Sequence, residues 1–536
     1  MKPFAQLFRN LDSTNSTQEK IRLLTAYFQD DISEEDKVST LALFMGRRPP
    51  RPVKTSLLRS WASEISGVPL WLLEENYHIV GDLAETLALI LPPPQDKSDY
   101  TLSQWLQHIN NLRGQDAEYQ REKIIAYWNM LDATERFLFT KLITGGFRVG
   151  VSDKLVMTAL AHVAGTDLQD MMLRLTGNWT AQELSWQVIM GQAENADISR
   201  PYPFYLGYPL DESTENELIV QGEQMVEHYQ AEWKWDGIRA QLISRNQNIY
   251  LWSRGEEIIT EAFPEFGTPE LTGIDFVLDG EIIVYKDDKP GDFGMLQKRL
   301  GRKKVPSKML KELPCRLVGY DILEYMGSDI RHLPWTERRT YLEQIIQDLA
   351  SPHLALSPLL EFRHFEDLRI QRDAARQFGA EGLMLKRSEA PYYAGRKRGS
   401  LWKWKLDPFT IDAVMIYAQR GHGRRANLYS DFTFAVWDNQ GQLIPFTKAY
   451  SGLSDAEMKE VNTFVRKNTL ANFGPVCSVT PQLVFELAFE GIQLSTRNKS
   501  GIAVRFPRIK NWRRDKPADQ ANTLEDLHQM MHKKEF

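Results

Sequence analysis

The residues best suited to chemistry are a lysine and an aspartate in the string Glu232-Trp233-Lys234-Trp235-Asp236-Gly237-Ile238-Arg239. The flanking residues 231–244 and 249–254 predict two strands of a hairpin. Because alternate side chains of a strand share a face, we expect Lys234 and Asp236 on the same side. A desolvated lysine can act as a nucleophile, and a nearby carboxylate can orient its amine or bind a metal ion. The string is also typical of a strand that runs into a turn with a solvated lysine.

Further charged residues interrupt segments that otherwise predict buried strands. Glu281 lies between two apolar triplets, and Glu381 precedes a similar apolar segment. Lys403 and Lys405 alternate with tryptophans, which predicts both lysines on one face of a strand. Each charge alone can belong to a structural ion pair, because a buried charge is costly without a partner. Their recurrence in one region favours a single site for an anionic ligand.

The residue types at this predicted site suit an attack by a lysine amine on phosphorus. Lysine has a pKa of about 10.4 in water, so it needs desolvation or neighbouring positive charge to present a free amine near neutral pH. Lys403 and Lys405, or a divalent ion on Glu281 and Glu381, would supply that charge. The same cations would neutralise charge that develops on a phosphoryl group under attack.

A mixed sheet must position these residues, and the chain predicts a multidomain protein that contains one. Residues 1–195 have helical spacing of apolar residues and predict an all-α domain. Residues 196–229, rich in proline and acidic residues, predict a connector. Residues 230–406 alternate predicted strands and helices, which indicates an α+β domain. Residues 407–536 carry four predicted short strands and a helix, a pattern typical of a small OB-fold β-barrel.

Length and composition are those of an ordinary globular protein. A chain of 536 residues is too long for a single hydrophobic core, so several domains are expected. Of these residues, 42% are hydrophobic and 25% are charged. The two cysteines, Cys315 and Cys477, exclude a four-cysteine zinc module and a disulfide framework. No apolar run suits a signal peptide or a membrane span. We therefore expect a cytoplasmic protein that does not act at a membrane.

The distribution of basic residues favours a surface that binds polyanions, although the net charge alone does not. A net charge of −6 is not that of a typical nucleic-acid-binding protein. Basic clusters nevertheless recur at 47–51, 298–304, 396–398, 420–425 and 505–516. One such cluster is typical of a solvated face, whereas five favour contacts with a polyanion. The glycine-rich turn at 144–151, with Arg148, either contacts a phosphate through its backbone or simply connects two helices.

Seven strings, in this order, resemble the nucleotidyltransferase motifs of ATP-dependent DNA ligases. They lie at 234–239, 253–255, 279–281, 320–321, 381–386, 402–405 and 513–516. The strings at 489–493 and 504–508 are similar to the barrel domain of these enzymes. Residues 1–195 resemble the DNA-binding domain of the larger members. The resemblance covers nearly the whole chain, and the ordered set is far more specific than any one string.

The resemblance implies an enzyme that uses ATP and Mg²⁺ or Mn²⁺ to seal nicks in double-stranded DNA. Lys234 would attack the α-phosphorus of ATP and carry AMP. The AMP would pass to the 5′-phosphate of the nick, and the 3′-hydroxyl would then displace it. A monomer is the family expectation, and DNA replication, repair and recombination are the processes in which such an enzyme would act, with the choice among them left open. The absence of a long basic or disordered N-terminal tail favours a bacterial or archaeal cytosol over a nucleus. The sequence does not show which protein partner, if any, recruits the enzyme.

The resemblance also implies roles around the nucleotide. Glu232 would read the adenine amino group, and Tyr320 would stack on the base. Arg239 and Arg254 would lie near the ribose and the phosphate of the nick.

Further implied roles concern metal, ribose and phosphate. Glu281 and Glu381 match ribose and metal contacts, and Lys403 and Lys405 match phosphate contacts. Asp236 is a further candidate metal ligand, or it orients Lys234.

In the barrel domain, the resemblance implies that Arg513, Asp515 and Lys516 orient the departing pyrophosphate in the first step only. That role requires the domains to rotate between steps, and Asp407-Pro408 is the expected hinge.

Three alternatives were also considered. RNA ligases and capping-type guanylyltransferases share the lysine motif, although the helical region and the string at 489–493 favour a DNA ligase. NAD-dependent DNA ligases fit less well, because two cysteines cannot form their zinc module. A catalytically silent DNA-binding scaffold is disfavoured by the intact charged motif positions, since buried charges are costly without a ligand.

Overall fold

A computed structural model describes residues 1–145, 149–193, 197–222, 224–300, 302, 304–421 and 428–532 of the chain. The chain forms two compact units, Met1–Val156 with Pro408–Phe536, and Met157–Asp407. Within the described ranges no helix is both long and apolar enough to cross a membrane. Arg148 lies outside the described residues, as do parts of the basic clusters at 298–304 and 420–425.

The N-terminal region is helical, as predicted. Its helices are α1 (Lys2–Asp12), α2 (Thr17–Gln29), α3 (Glu34–Phe44), α4 (Thr55–Ser66), α5 (Leu70–Val80), α6 (Leu83–Ile90), α7 (Leu102–Asn111), α8 (Ala117–Met130), α9 (Ala133–Thr144), α10 (Asp153–Ala164), α11 (Leu168–Leu175) and α12 (Trp186–Ile189). Capping boxes begin α7 at Thr101 and α9 at Asp132, where each side chain accepts a backbone N–H of the first turn. The sequence did not predict α3 separately, because it is buried almost all round and lacks a polar stripe.

The central region has two main sheets. Its strands are β1 (Tyr205–Leu206), β2 (Tyr208–Pro209), β3 (Tyr229–Trp235), β4 (Ile238–Arg245), β5 (Asn248–Ser253), β6 (Phe276–Lys286), β7 (Lys289–Pro290), β8 (Cys315–Tyr325), β9 (Ser328–Asp329), β10 (Leu354–Leu356), β11 (Leu359–Leu360), β12 (Ala380–Arg387), β13 (Gly395–Arg396) and β14 (Leu401–Lys405). Its helices are α13 (Glu212–Val220), α14 (Gln224–His228), α15 (Phe293–Gln297), α16 (Ser307–Glu312), α17 (Trp335–Leu349) and α18 (Phe365–Ala374). One sheet has the order β10-β8-β6-β4-β5 and the other β11-β3-β12-β14-β2.

The lysine string does not form one strand of a hairpin, so that prediction was wrong. Strand β3 ends at Trp235 in one sheet, and β4 starts at Ile238 in the other, where it pairs with β5 and β6. The hairpin is β4 with β5. Gly237 allows this crossing, because a Cβ there would lie 2.3 Å from the carbonyl oxygen of Ile282 in β6. Asp236 therefore lies in the turn after the strand and does not continue the face that carries Lys234.

Part of the predicted connector, residues 196–229, forms short strands that pair with strands of the central region. Strand β1 pairs in parallel with β13, and β2 pairs in parallel with β14 at the edge of the second sheet. The backbone N–H of Leu210 also donates to the carbonyl oxygen of Lys403 at 2.9 Å. Residues 205–210 thus hold the backbone of a strand that carries two of the predicted site lysines.

The C-terminal region is β-rich and confirms the predicted fold class. Its elements are β15 (Phe409–Arg420), β16 (Tyr429–Trp437), β17 (Leu443–Ala449), α19 (Asp455–Lys467), β18 (Thr469–Phe473), β19 (Val476–Val479), β20 (Val484–Phe489), β21 (Gly491–Leu494), β22 (Ile502–Arg505), β23 (Arg508–Trp512) and α20 (Leu524–His532). Strand β15 pairs with β16 on one side and with both β20 and β19 on the other. The four predicted strands correspond to β15, β16, β17 and β20.

Candidate active site

A cavity of about 520 Å³ lies in the unit formed by Met157–Asp407. That volume suits a small-molecule ligand. Its wall contains seven of the residues predicted from the sequence, namely Glu232, Lys234, Arg239, Arg254, Glu281, Tyr320 and Lys403. Asp236, Glu381 and Lys405 are not part of the wall. The structure therefore brings most of the predicted residues of the central region to one place.

Strand register explains the cluster around Lys234. Gly382 lies opposite Lys405, and the pairing of β12 with β3 is irregular between Ala380 and Leu383. Glu381 falls within this irregularity, and its carboxylate accepts a hydrogen bond from the Lys234 amine. The other oxygen of Glu381 lies 3.2 Å from the Lys405 amine. Burial raises the pKa of Glu381, but the two lysines outweigh it and leave the pKa below its usual value.

Glu281 is the second carboxylate near Lys234. It lies opposite Arg239 in the pairing of β4 with β6, and it interacts electrostatically with both Lys234 and Glu381. Burial raises the pKa of Glu281 to about 7, although Lys234 and Arg239 act in the opposite direction. Across the cavity, burial together with Arg396 and Lys234 lowers the pKa of Lys403. Opposite charges are thus concentrated on partly buried side chains around Lys234.

Glu232 is buried, with 2% of its side chain exposed. Arg339 on α17 donates from Nη1 to Glu232 Oε1 at 3.0 Å. The amine of Lys386 on β12 lies 2.5 Å from Glu232 Oε2. Burial raises the pKa of Glu232, and Lys386 and Arg339 counter part of that rise. Each oxygen of this carboxylate therefore has one cationic partner.

Arg239 is fixed by a buried network. Its guanidinium donates to both oxygens of Asp279, at 3.1 and 2.7 Å, and the Tyr392 hydroxyl donates to Asp279 at 2.6 Å. The guanidinium also lies 5.7 Å from the ring centre of Tyr320. Tyr320 has no direct partner on β6, because the register shifts between Asp279 and Gly280. Arg254 is exposed, and its backbone N–H donates to the carbonyl oxygen of Arg239 at 3.0 Å.

Arg513, Asp515 and Lys516 lie in the other compact unit. The guanidinium of Arg513 donates to Asp412 Oδ2 at 2.7 Å, and the amine of Lys516 donates to the same oxygen at 2.6 Å. Arg513 also donates to both oxygens of Asp515, at 3.0 and 2.8 Å. One buried carboxylate on β15 therefore holds both predicted cations.

The donor set near Lys234 suits Mg²⁺ or Mn²⁺. In the described part of the chain, no three or more His, Cys, Asp and Glu side chains are arranged to hold a metal ion. Mg²⁺ usually takes one or two protein carboxylates and fills its other positions with water and substrate phosphates. Glu281 and Glu381 provide those two carboxylates beside Lys234. Asp236 lies in the turn that follows β3.

Three family profiles match successive parts of the chain. They are described as DNA ligase N terminus, over residues 1–161, ATP dependent DNA ligase domain, over 216–405, and ATP dependent DNA ligase C terminal region, over 425–516. A relative from Koribacter versatilis, named "Probable DNA ligase", is 31% identical over 98% of this chain and 95% of its own length. The chain belongs to the ATP-dependent DNA ligases.

Other relatives agree with this family. The protein named "DNA ligase" from Archaeoglobus fulgidus is 25% identical over 98% of this ligase chain and 97% of its own length. A solved structure named "Pmar-Lig_PreS3" superposes with a TM-score of 0.62, at 15% identity, over 95% of this chain and 99% of that one. At this identity the superposition shows a shared fold.

Some residues that shape the ligase site were missed in the sequence. Arg338 binds both oxygens of Asp321, at 2.8 and 2.9 Å, and Arg339 binds Glu232. A signal for Arg338 was present, because it occupies a buried position between Trp335 and Leu342 on α17, where an apolar residue is expected. Arg339 and Glu232 are far apart in the chain, so no local pattern connects them.

Proposed function

We propose that this ligase seals nicks in duplex DNA with Lys234 as the nucleophile that becomes adenylylated. The observation that carries the proposal is the position of the Lys234 amine. It lies in the wall of a nucleotide-sized cavity, bound to Glu381 and close to Glu281, Lys403 and Lys405. A lysine amine among cations and carboxylates suits attack on a phosphoryl group.

The proposed chemistry has three steps. The Lys234 amine attacks the α-phosphorus of ATP, the bond to the β-phosphate oxygen breaks, and pyrophosphate leaves. The 5′-phosphate of the nick then attacks the lysyl-AMP phosphorus and takes the AMP, which frees Lys234. The 3′-hydroxyl finally attacks the 5′-phosphorus and displaces AMP. Glu381 orients the amine for the first attack, because its carboxylate already accepts the Lys234 N–H.

The residues in the cavity wall divide among parts of the substrates. Glu232 accepts from the adenine amino group, and Tyr320 stacks on the base. Arg239 and Arg254 contact the ribose and the phosphate of the nick. Because Arg239 is held by Asp279, its guanidinium is fixed before any ligand enters.

Lys403 and Lys405 contact phosphate groups in this proposal, and Glu281 and Glu381 would hold Mg²⁺ or Mn²⁺. Glu281 also matches a ribose contact. A divalent ion held there supplies charge neutralisation for the phosphates. Asp236 either contributes to that ion or orients Lys234 from the turn.

Several wider expectations stay proposals. Arg513, Asp515 and Lys516 orient pyrophosphate in the first step, which requires rotation about Asp407-Pro408. The domains divide at residues 1–195, 196–229, 230–406 and 407–536. The turn at 144–151 either contacts DNA or simply connects two helices. The ligase works in the cytoplasm as a monomer, so light scattering should give one chain mass of 62.0 kDa.

Retention of label from ATP tests the proposal. Protein incubated with Mg²⁺ and ATP labelled on the α-phosphate should keep the label after denaturation, and Lys234→Ala should not. Lys308→Ala is the matched control, because the Lys308 side chain is 85% exposed on α16. The labelled protein should then join a nicked DNA duplex without added ATP.

The alternatives give different results in the same assay. Label from GTP in place of ATP indicates a guanylyltransferase, and joining of RNA alone indicates an RNA ligase. Equal labelling of wild type and Lys234→Ala would remove Lys234 from the mechanism.

A further inference from the structure

Glu232 lies in the wall of the cavity, where its carboxylate can bind the base in the proposed function. An ionised carboxylate only accepts hydrogen bonds, whereas a protonated one also donates. Adenine carries an amino donor at its six position, and guanine carries a carbonyl acceptor there. An ionised Glu232 therefore favours adenine, and a protonated Glu232 would lose that preference. If the cavity selects the base through this carboxylate, as proposed above, then its charge state affects that selection.

The surroundings of Glu232 work against ionisation unless cations balance them. The side chain is almost fully buried, which disfavours the charged form. Asp321 on β8 is a further negative group that opposes ionisation of Glu232. Two cations favour ionisation of Glu232, with Lys386 on β12 at one carboxylate oxygen and Arg339 on α17 at the other. These two cations favour the ionised, acceptor-only carboxylate, against the burial that raises the pKa of Glu232.

Arg339 differs from Lys386 in its relation to the cavity. Lys386 belongs to the cavity wall, and its amine also donates to the carbonyl oxygen of Tyr320 at 2.7 Å. Arg339 is not part of the wall, so it reaches the ligand only through Glu232. Its Nε donates to Glu343 Oε1 at 2.7 Å, one helical turn along α17, which fixes the direction of the guanidinium. Arg339 is thus anchored on one side and bound to Glu232 on the other.

We propose that Arg339 is a positioning residue that keeps Glu232 ionised and thereby sets the preference of this ligase for ATP over GTP. The inference rests on the proposed role of Glu232 toward the base and extends it to a residue outside the cavity. Lys386 supports the same state from the other oxygen. A guanidinium suits this task because it keeps its charge at any physiological pH.

The test compares lysyl-nucleotide formation from ATP and from GTP, each labelled on the α-phosphate, across a range of pH. The measured quantity is the ratio of the two rates. Both nucleotides react with Lys234, so titration of that amine cancels in the ratio. Arg339→Met removes the charge but keeps much of the side-chain volume. We expect it to lower the ratio about tenfold or more, because the carboxylate loses its acceptor-only character.

The pH profile separates this role from a merely structural one. In wild type the ratio should fall only toward acid pH, where Glu232 gains a proton. In Arg339→Met the midpoint of that fall should move up by about one pH unit or more, since a counter-charge is lost. Arg339→Lys should restore much of the ratio. Arg369→Met is the matched control, because Arg369 is a partly exposed arginine on α18 that pairs with Glu366, and it should change neither ratio nor midpoint.

A gentler variant covers the case in which Arg339→Met does not fold. Glu343→Gln alters a half-exposed side chain and loosens Arg339 without removing its charge. It should lower the ratio in the same direction by a smaller factor. Equal losses with ATP and GTP at every pH, in whichever of the two variants folds, would overturn the inference. Absence of any label in wild type would instead reject the proposed function.

Discussion

Replacing Gly237 by alanine should disable Lys234 without removing a reactive group. A Cβ at this position would lie 2.3 Å from the carbonyl oxygen of Ile282 and 2.8 Å from Cγ of Glu281. Carbon and carbonyl oxygen normally approach to about 3.3 Å, so the two must separate by about 1 Å. Ile282 lies in β6, which is hydrogen-bonded to β4 on one side and β8 on the other. The displacement therefore falls on the turn that follows Lys234.

The size of the effect follows from this displacement. Misplacing a reacting group by about 1 Å can cost about a hundredfold in rate. Forcing an extra methyl group into a packed core costs about 1–3 kcal/mol. We expect Gly237→Ala to form lysyl-AMP about a hundredfold more slowly, and its free energy of unfolding to fall by about 1–3 kcal/mol. The loss of rate should exceed what the unfolded fraction explains.

The assay is single-turnover labelling from ATP labelled on the α-phosphate, combined with urea unfolding of the same samples. Gly273→Ala is the matched control, because a Cβ there meets nothing within 4 Å. That control should keep both the labelling rate and the stability of wild type. A Gly237→Ala protein that labels within about twofold of wild type, at an equal folded fraction, would refute the claim that this crossing positions Lys234.

Two further predictions concern charge. The pKa of Glu281 is raised to about 7, above the unfolded value of about 4.3, so its contribution to the free energy of unfolding declines as pH rises between these values. Without Mg²⁺ and ATP, Glu281→Gln should exceed wild type in urea stability at about pH 8, by a margin that shrinks toward about pH 5; a margin independent of pH contradicts this. Asp412→Asn weakens the hold on Arg513 and Lys516, so lysyl-AMP formation should fall about tenfold while sealing of a pre-adenylylated nick changes less than about twofold. Equal losses in both assays would speak against that role.

The predicted strands that the structure confirms are those with a clear apolar pattern. Strand β6 has apolar triplets on both sides of Asp279 to Glu281, and β14 alternates buried tryptophans with half-buried lysines. The break between β3 and β4 was not predicted, because both segments have strand-forming residues and nothing local shows that their partners belong to different sheets. Only Gly237 marked the crossing, and its contact with Ile282 depends on the tertiary fold.

Ion pairs between residues that lie far apart in the sequence could not be predicted from any local pattern. Glu232 is bound by Arg339, which is 107 residues away in the chain. In the C-terminal region, β18 was missed because four of its five residues are exposed, so it lacks the alternation of a half-buried strand. The order of the motifs was enough to identify the candidate residues, whereas their ion-pair partners became apparent only in the three-dimensional structure.

The short strands of residues 205–210 have a consequence for the durability of the second sheet. A sheet edge with unpaired N–H and C=O groups invites association with another chain. Strand β2 pairs with β14 at Trp402 and Lys403, so the same polypeptide covers the sheet edge beside these residues. The segment before residue 230 therefore protects this sheet edge against edge-to-edge aggregation. Its length is constrained by that pairing, whereas the length of a simple spacer is not.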